Sequence, residues 1–287
     1  MDTLLINSKA VCRFLGILTI ATGFAACDVS EDQQLDERSY ELVWSDDFDG
    51  AAGELPSAAN WTYDIGNGPA GWGNNELQMY TDNPENVSLD GNGNLLLTAI
   101  RIDNENGDQF TSARIKTEGL FTKAYGRFEA RLKTPYGPGI WPAFWLLGDN
   151  CNEMPWPQCG EIDIMELRGQ EPNKIAGSVH GPGYSAGQAI TADYTLENGR
   201  FDAEFRIFAI EWGEDYIDYF VDDFLYQRIT KEDTEEADDG KGEWVYDHPF
   251  YIIMNVAVGG NYVGFPVDAT PFPQTMTIDY VRVYEER

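Results

Sequence analysis

Apolar and charged positions alternate along much of the chain, most cleanly in Arg127-Phe128-Glu129-Ala130-Arg131-Leu132-Lys133, where every second side chain is charged. A period of two is that of a β-strand with one wet and one buried face. Runs at 94–102, 206–212, 216–221, 250–258 and 276–284 read as further strands, with Gly, Asn, Asp and Pro clusters at the connections. Helical periodicity of useful length occurs only near the N-terminus. The acidic run from Glu232 to Asp239 reads as a solvated surface loop, with cation binding as the alternative. Many strands, no internal repeat and no Pro- or Ser-rich linker predict one all-β domain over residues 40–287, built as a sandwich of two antiparallel sheets.

One predicted strand carries an unusual charge load: Glu161-Ile162-Asp163-Ile164-Met165-Glu166 holds three carboxylates in six residues. Strand alternation puts Glu161 and Asp163 on one face and Ile162 and Ile164 on the other, which leaves Glu166 out of phase. A β-bulge that absorbs Met165 would return Glu166 to the face of Glu161. Two carboxyl groups about 5–5.5 Å apart suit a retaining glycosidase, with one as nucleophile and the other as general acid. Crowding raises the proton affinity of one of them, so that a protonated and an ionised carboxyl can coexist. An exposed acidic strand face and a calcium site made of the same three residues are the other readings. The surroundings favour sugar chemistry, because Trp141, Trp145 and Trp156 precede the triad closely and Trp141 and Trp145 share strand parity. Those rings read as stacking platforms for sugar rings rather than as core.

The Glu161-to-Glu166 segment resembles the bulged ExDxxE signature of family 16 glycoside hydrolases, in its laminarinase-like branch. Gly71-Trp72-Gly73-Asn74-Asn75-Glu76, Tyr125 to Glu129, Gly139 to Leu147, His180-Gly181-Pro182-Gly183-Tyr184, Asn255 to Gly260 and Ile278 to Tyr284 resemble blocks of that branch in the same order. The resemblance implies a β-jelly roll with a concave substrate cleft and retaining endo-hydrolysis of β-1,3-glucan through a covalent glycosyl-enzyme. Glu161 is then the nucleophile, Glu166 the acid and base, and Asp163 the residue that orients the nucleophile. Ligand candidates carried over from the matching blocks are Asn75, Glu76, Arg114, Trp141, Trp145, Trp156 and His180. The family resemblance also implies a structural Ca2+ at Asp279, with Asp47 as a second ligand, and no cofactor for the chemistry.

Charge narrows the substrate. The formal net charge is −30, which argues against nucleic acid and against sulfated or uronate polymers, whose recognition calls for Arg and Lys. A neutral β-glucan needs no basic cleft. Residues 1–26 read as a targeting segment, with Lys9 and Arg13 ahead of an apolar run from Phe14 to Ala26 that is short for a bilayer span. Phe24-Ala25-Ala26-Cys27 resembles a bacterial lipobox, which would leave Cys27 as a lipidated N-terminus on an acidic tether, residues 27–39. The expectation is an exported monomer, anchored at the outer membrane or cell surface, or else periplasmic, secreted or held by an uncleaved anchor. Removal of 1–26 takes away Asp2, Lys9 and Arg13 and shifts the charge to −31. Of the four cysteines only Cys151 and Cys159 then remain, as a disulfide just before Glu161 or as two free thiols.

Other functions stay open at this level: the same chemistry on mixed-linkage β-1,3-1,4-glucan or, further off, on galactans; transglycosylation; and a non-hydrolytic glucan-binding protein. Retention of all three carboxylates speaks against the last.

Overall fold

The computed structural model describes residues 38–103, 107 and 109–287. Residues 1–37, which include the targeting segment, Cys27 and most of the tether, lie outside them. Strands form two sheets, one of ten strands and one of seven. The 206–212, 216–221 and 250–258 runs coincide with the strands Arg206–Trp212, Tyr216–Val221 and Phe250–Val258, and the other runs fall in Leu95–Ile102, Gly126–Lys133 and Gln274–Glu286. Pairing is antiparallel except where Gln78–Tyr80 runs parallel to Gln109–Ser112.

The sheets meet over one apolar core. Phe128, Ala130 and Leu132 enter it from the ten-stranded sheet, and Ile162, Ile164, Phe144, Leu146, Ile252 and Met254 from the seven-stranded one. Each such side chain stabilises the fold by about 1.5–3 kcal/mol relative to an exposed one. The charged partners in the Gly126–Lys133 strand face outward, where Arg127 bonds Glu129, Glu211 and Asp223 at 2.8–3.1 Å. The alternation in the sequence is therefore the inside and outside of the sandwich.

The acidic run differs from expectation. Lys231–Gly240 is a helix, started by a reciprocal cap in which the Thr230 side chain accepts from the Asp233 N–H and Asp233 accepts from the Thr230 N–H. Glu232 and Asp233 also lie at the positive end of the helix dipole. No apolar periodicity announces such a helix, and it is short: Ala237, Asp238 and Asp239 already depart from helical geometry.

Candidate active site

The seven-stranded sheet runs in the order Ile190–Thr195, Lys174–His180, Glu161–Leu167, Ile140–Gly148, Phe250–Val258, Arg114–Lys116, Thr62–Tyr63. Its outer face presents rows of side chains that cross the strands. One row is His180, Glu161, Leu147 and Tyr251; the next is Ser178, Asp163, Trp145, Ile253 and Lys116. The third is Ala176, Glu166, Ala143, Asn255 and Arg114.

Glu166 joins that face because the register slips between Asp163 and Glu166 against both neighbouring strands. Ile164 and Met165 both point into the core there. Two consecutive inward side chains are what a bulge produces, and they return the following residue to the face of Glu161 and Asp163. Asp163 is 3% exposed, whereas Glu161 keeps 19% of its side-chain surface, so the nucleophile candidate is the more accessible of the two.

Each of the two glutamates is held by an indole. Trp156 Nε1 donates to Glu161 Oε2 at 2.9 Å, and Trp141 Nε1 donates to Glu166 Oε1 at 2.9 Å. Trp145 Nε1 donates to Asn255 Oδ1 at 2.8 Å. The three tryptophans thus have hydrogen-bonding duties that their expected stacking role did not include. Trp156 reaches Glu161 from a loop closed by the bonded pair Cys151 and Cys159.

His180 completes the cluster, with Nε2 3.0 Å from Asp163 Oδ2 and 3.7 Å from Glu161 Oε1. Its Nδ1 accepts the backbone N–H of Ala186 at 3.0 Å, so the ring proton sits on Nε2, toward the carboxylates. The Asp163 contact is oblique and leaves Oδ2 without a well-aligned hydrogen bond. Burial pulls the His180 pKa down, but Asp163, Glu161 and Glu166 outweigh it and push it up to about 9. A second proton on Nδ1 would break the Ala186 contact, so charging His180 is coupled to the turn at 185–188.

Both glutamates have raised proton affinity. Burial and then the Asp163 charge push Glu161 up to about 8, against the pull of His180 and the Trp156 N–H. The same two causes hold Glu166 well above the usual carboxylate range, with Glu161 adding to them. Both carboxyls therefore hold their protons more tightly than an ordinary glutamate does, and for the same two causes.

The remaining candidates line the same face or its border. The Arg114 guanidinium lies between the rings of Trp72 and Trp145, at 4.7 and 4.8 Å, and ion-pairs with Asp64 at 2.8 Å. Glu76 is buried and bonded by Gln78 Nε2 at 2.6 Å; burial raises its pKa. Asn75 is exposed and donates to Asn261 Oδ1 at 2.9 Å, joining two loops. Pattern reading missed Tyr262, which stacks on Trp141 at 5.0 Å, and the role of Asn255 as partner of Trp145. The available signal for Tyr262 was an aromatic residue just after Gly259-Gly260-Asn261.

Each expected metal ligand is paired with an arginine. Asp47 pairs with Arg282 at 2.6 Å, and Asp279 pairs with Arg131. Among the described residues the one cluster of three side chains with metal-ligand geometry is Glu161, Asp163 and His180, within 4.8 Å of one another, and its two carboxylates belong to the outer face described above.

A paired-carboxylate site on the outer face of a β-sandwich defines a glycoside hydrolase. Comparison with known proteins gives the same class. The model of the family described as glycosyl hydrolases family 16 matches residues 72–282, and the chain belongs to that family. It is 41% identical over 280 residues to a beta-glucanase of Rhodothermus marinus, across 96% of this chain and 95% of that one. The laminarinase catalytic domain of Thermotoga maritima superposes with a TM-score of 0.79 at 46% identity, over 86% of this chain and 99% of that one. The endo-beta-1,3-glucanase of Pyrococcus furiosus gives 0.81 at 45% identity, over 88% and 97%. Some curated relatives are longer, and the chain spans 35% and 38% of two of them. The fold is the family's jelly roll.

Proposed function

We propose that the protein is a retaining endo-β-1,3-glucanase acting on laminarin-like polymers. The observation that carries the reading is the bulge at Ile164 and Met165, which sets Glu161 and Glu166 on one face, each with its proton affinity raised by burial and by Asp163. Likeness to laminarinases and an endo-β-1,3-glucanase over most of the chain supports the choice of substrate.

In the first step Glu161 attacks the anomeric carbon through one carboxylate oxygen while Glu166 gives its proton to the departing glycosidic oxygen. The products are a glycosyl ester on Glu161 and a shortened chain with a new hydroxyl. In the second step the Glu166 carboxylate takes a proton from water, whose oxygen displaces Glu161 and restores both side chains. Two displacements at one carbon retain the anomeric configuration. Trp156 remains hydrogen-bonded to Oε2, the oxygen that becomes the ester carbonyl when Oε1 attacks. Nucleophile and proton both come from side chains, so the chemistry calls for no cofactor.

Reducing-end release from laminarin, lichenan and agarose, measured side by side, tests the substrate; inactivity on laminarin would reject it. Activity on lichenan alone would favour the mixed-linkage reading. Glucan binding without turnover, unchanged in Glu161→Gln, would favour a binding protein.

Export with a lipid on Cys27 belongs to the same proposal, supported by Lys9, Arg13, the apolar run and the small residues before Cys27. Partition of the Cys27→Ala form into the aqueous phase of a detergent separation, with the parent in the detergent phase, is the expected result. A monomer is expected by light scattering. Structural Ca2+ at Asp47 and Asp279 would require both to leave their arginines, and a thermal midpoint that falls in chelator and recovers with added calcium would support it.

A further inference from the structure

Alternation along the Phe250–Val258 strand sends Val256 and Val258 into the core, so Ala257 and then Gly259 lie on the outer face that carries Trp141. Gly259 extends the pairing, its N–H reaching Gly139 O at 2.7 Å. At φ +74° it sits where side chains are strained, and the position a Cβ would take is closed by Leu77 Cγ at 2.9 Å and Phe265 Cδ1 at 3.1 Å. Leu77 and Phe265 therefore meet over the glycine. They nevertheless remain 41% and 56% exposed.

This pair continues a wall already in the site. The neighbouring Gly260 stands 3.5 Å, at its own Cβ position, from Trp141 Cζ3, and Trp141 is the indole that holds Glu166. Tyr262 stacks on Trp141, and Arg168 lies over the Tyr262 ring at 4.2 Å. Trp141 and Tyr262 thus form a pair of rings beside Glu166, and Phe265 covers Gly259, the residue next to the glycine that borders Trp141. Leu77 and Phe265 together expose apolar surface next to that pair of rings.

We propose that Phe265, seated on Leu77, is a further sugar-binding platform, an outer subsite that takes the apolar C–H face of one glucose ring of a long β-glucan. The occupant follows from continuity with Trp141 and Tyr262, the rings beside the acid of the proposed reaction. The inference rests on the glucanase reading. A ring at this distance from the reacting bond binds the substrate and its transition state equally, so it acts on KM and not on kcat.

The test compares Phe265→Leu and Phe265→Trp with the parent on β-1,3-glucan oligosaccharides of increasing length and on laminarin. Phe265→Leu keeps the apolar cover over Gly259 but lacks the ring, which separates stacking from packing. Its KM is expected to rise by about fivefold on the polymer and the longest oligosaccharides. On the shortest cleaved oligosaccharide it should match the parent, and Phe265→Trp should restore the long-chain value. An equal change at every chain length, or no change at any, overturns the subsite while leaving the glucanase reading intact. A parent inactive on laminarin overturns that reading and the subsite with it.

Discussion

Trp156 donates its indole N–H to Glu161 Oε2 at 2.9 Å from a loop tied by Cys151 and Cys159. The orientation of Glu161 is thereby fixed by a residue five positions before it. Phe at 156 keeps an aromatic ring but loses this charge-assisted bond, worth about 1.5–3 kcal/mol. Trp156→Phe is expected to lower kcat by about tenfold to a hundredfold, and to move the acidic limb of the kcat/KM profile to higher pH, because the N–H favours ionised Glu161. A variant with changed KM and an unmoved limb would return Trp156 to a purely stacking role.

The two glutamates should respond differently to the leaving group. Glu166→Gln removes the proton donor and is expected to reduce turnover of laminarin by about 10²–10⁴. On an aryl glycoside whose leaving group needs no proton, most of the loss should vanish from kcat/KM, which reports the first step, while kcat stays low because the second step still lacks its base. Glu161→Gln should stay inactive on both, and rates on the paired substrates distinguish the roles.

Asp163 is the strongest charge acting on both glutamates. Its negative charge opposes their ionisation, so Asp163→Asn should lower both pKa values and carry the basic limb of the activity profile to lower pH, as Glu166 loses its proton earlier. His180 would also lose its partner in that variant, which acts in the opposite direction and is the smaller effect in both glutamates. The pH dependence of kcat/KM on laminarin reads the displacement directly.

Raised carboxyl pKa values also predict how stability follows pH. The folded protein holds protons on Glu161 and Glu166 that the unfolded chain has released, so their contribution is fully present below the ordinary carboxylate range and is lost as pH rises toward about 8 and beyond. Glu166→Gln removes this loss. It should therefore melt higher than the parent at pH 8, with the difference shrinking at pH 4.

Ala186 holds a left-handed φ of +50° while its N–H serves His180. A β-carbon there costs about 1–2 kcal/mol, partly offset by the extra freedom glycine has in the unfolded chain. Ala186→Gly should stabilise by about 0.5–1 kcal/mol and leave turnover unchanged, which a melting curve and one rate measurement would check.

Strand periodicity made the sandwich legible, because alternation such as that of residues 127–133 is imposed by having a core on one side and water on the other. The gathering of Glu161, Asp163 and Glu166 on one face was legible for a related reason: Glu166 falls out of phase, and a bulge repairs the phase. The positions of Tyr262 and Phe265 were not, since they depend on where a loop folds back over Gly259 and no local pattern encodes that. The same limit explains the indoles, as an N–H donor and a flat ring are one residue type in the sequence. The short helix after Thr230 escaped because a cap, rather than apolar spacing, starts it.

The Trp141 and Trp156 contacts tie diet to chemistry. Any exchange of these rings also releases Glu166 or Glu161 from its N–H, so on the proposed mechanism recognition beside these carboxyls is not retuned without detuning proton transfer. Change is cheapest farther out, and descendants of this chain that adopt new polymers should first differ along the rim.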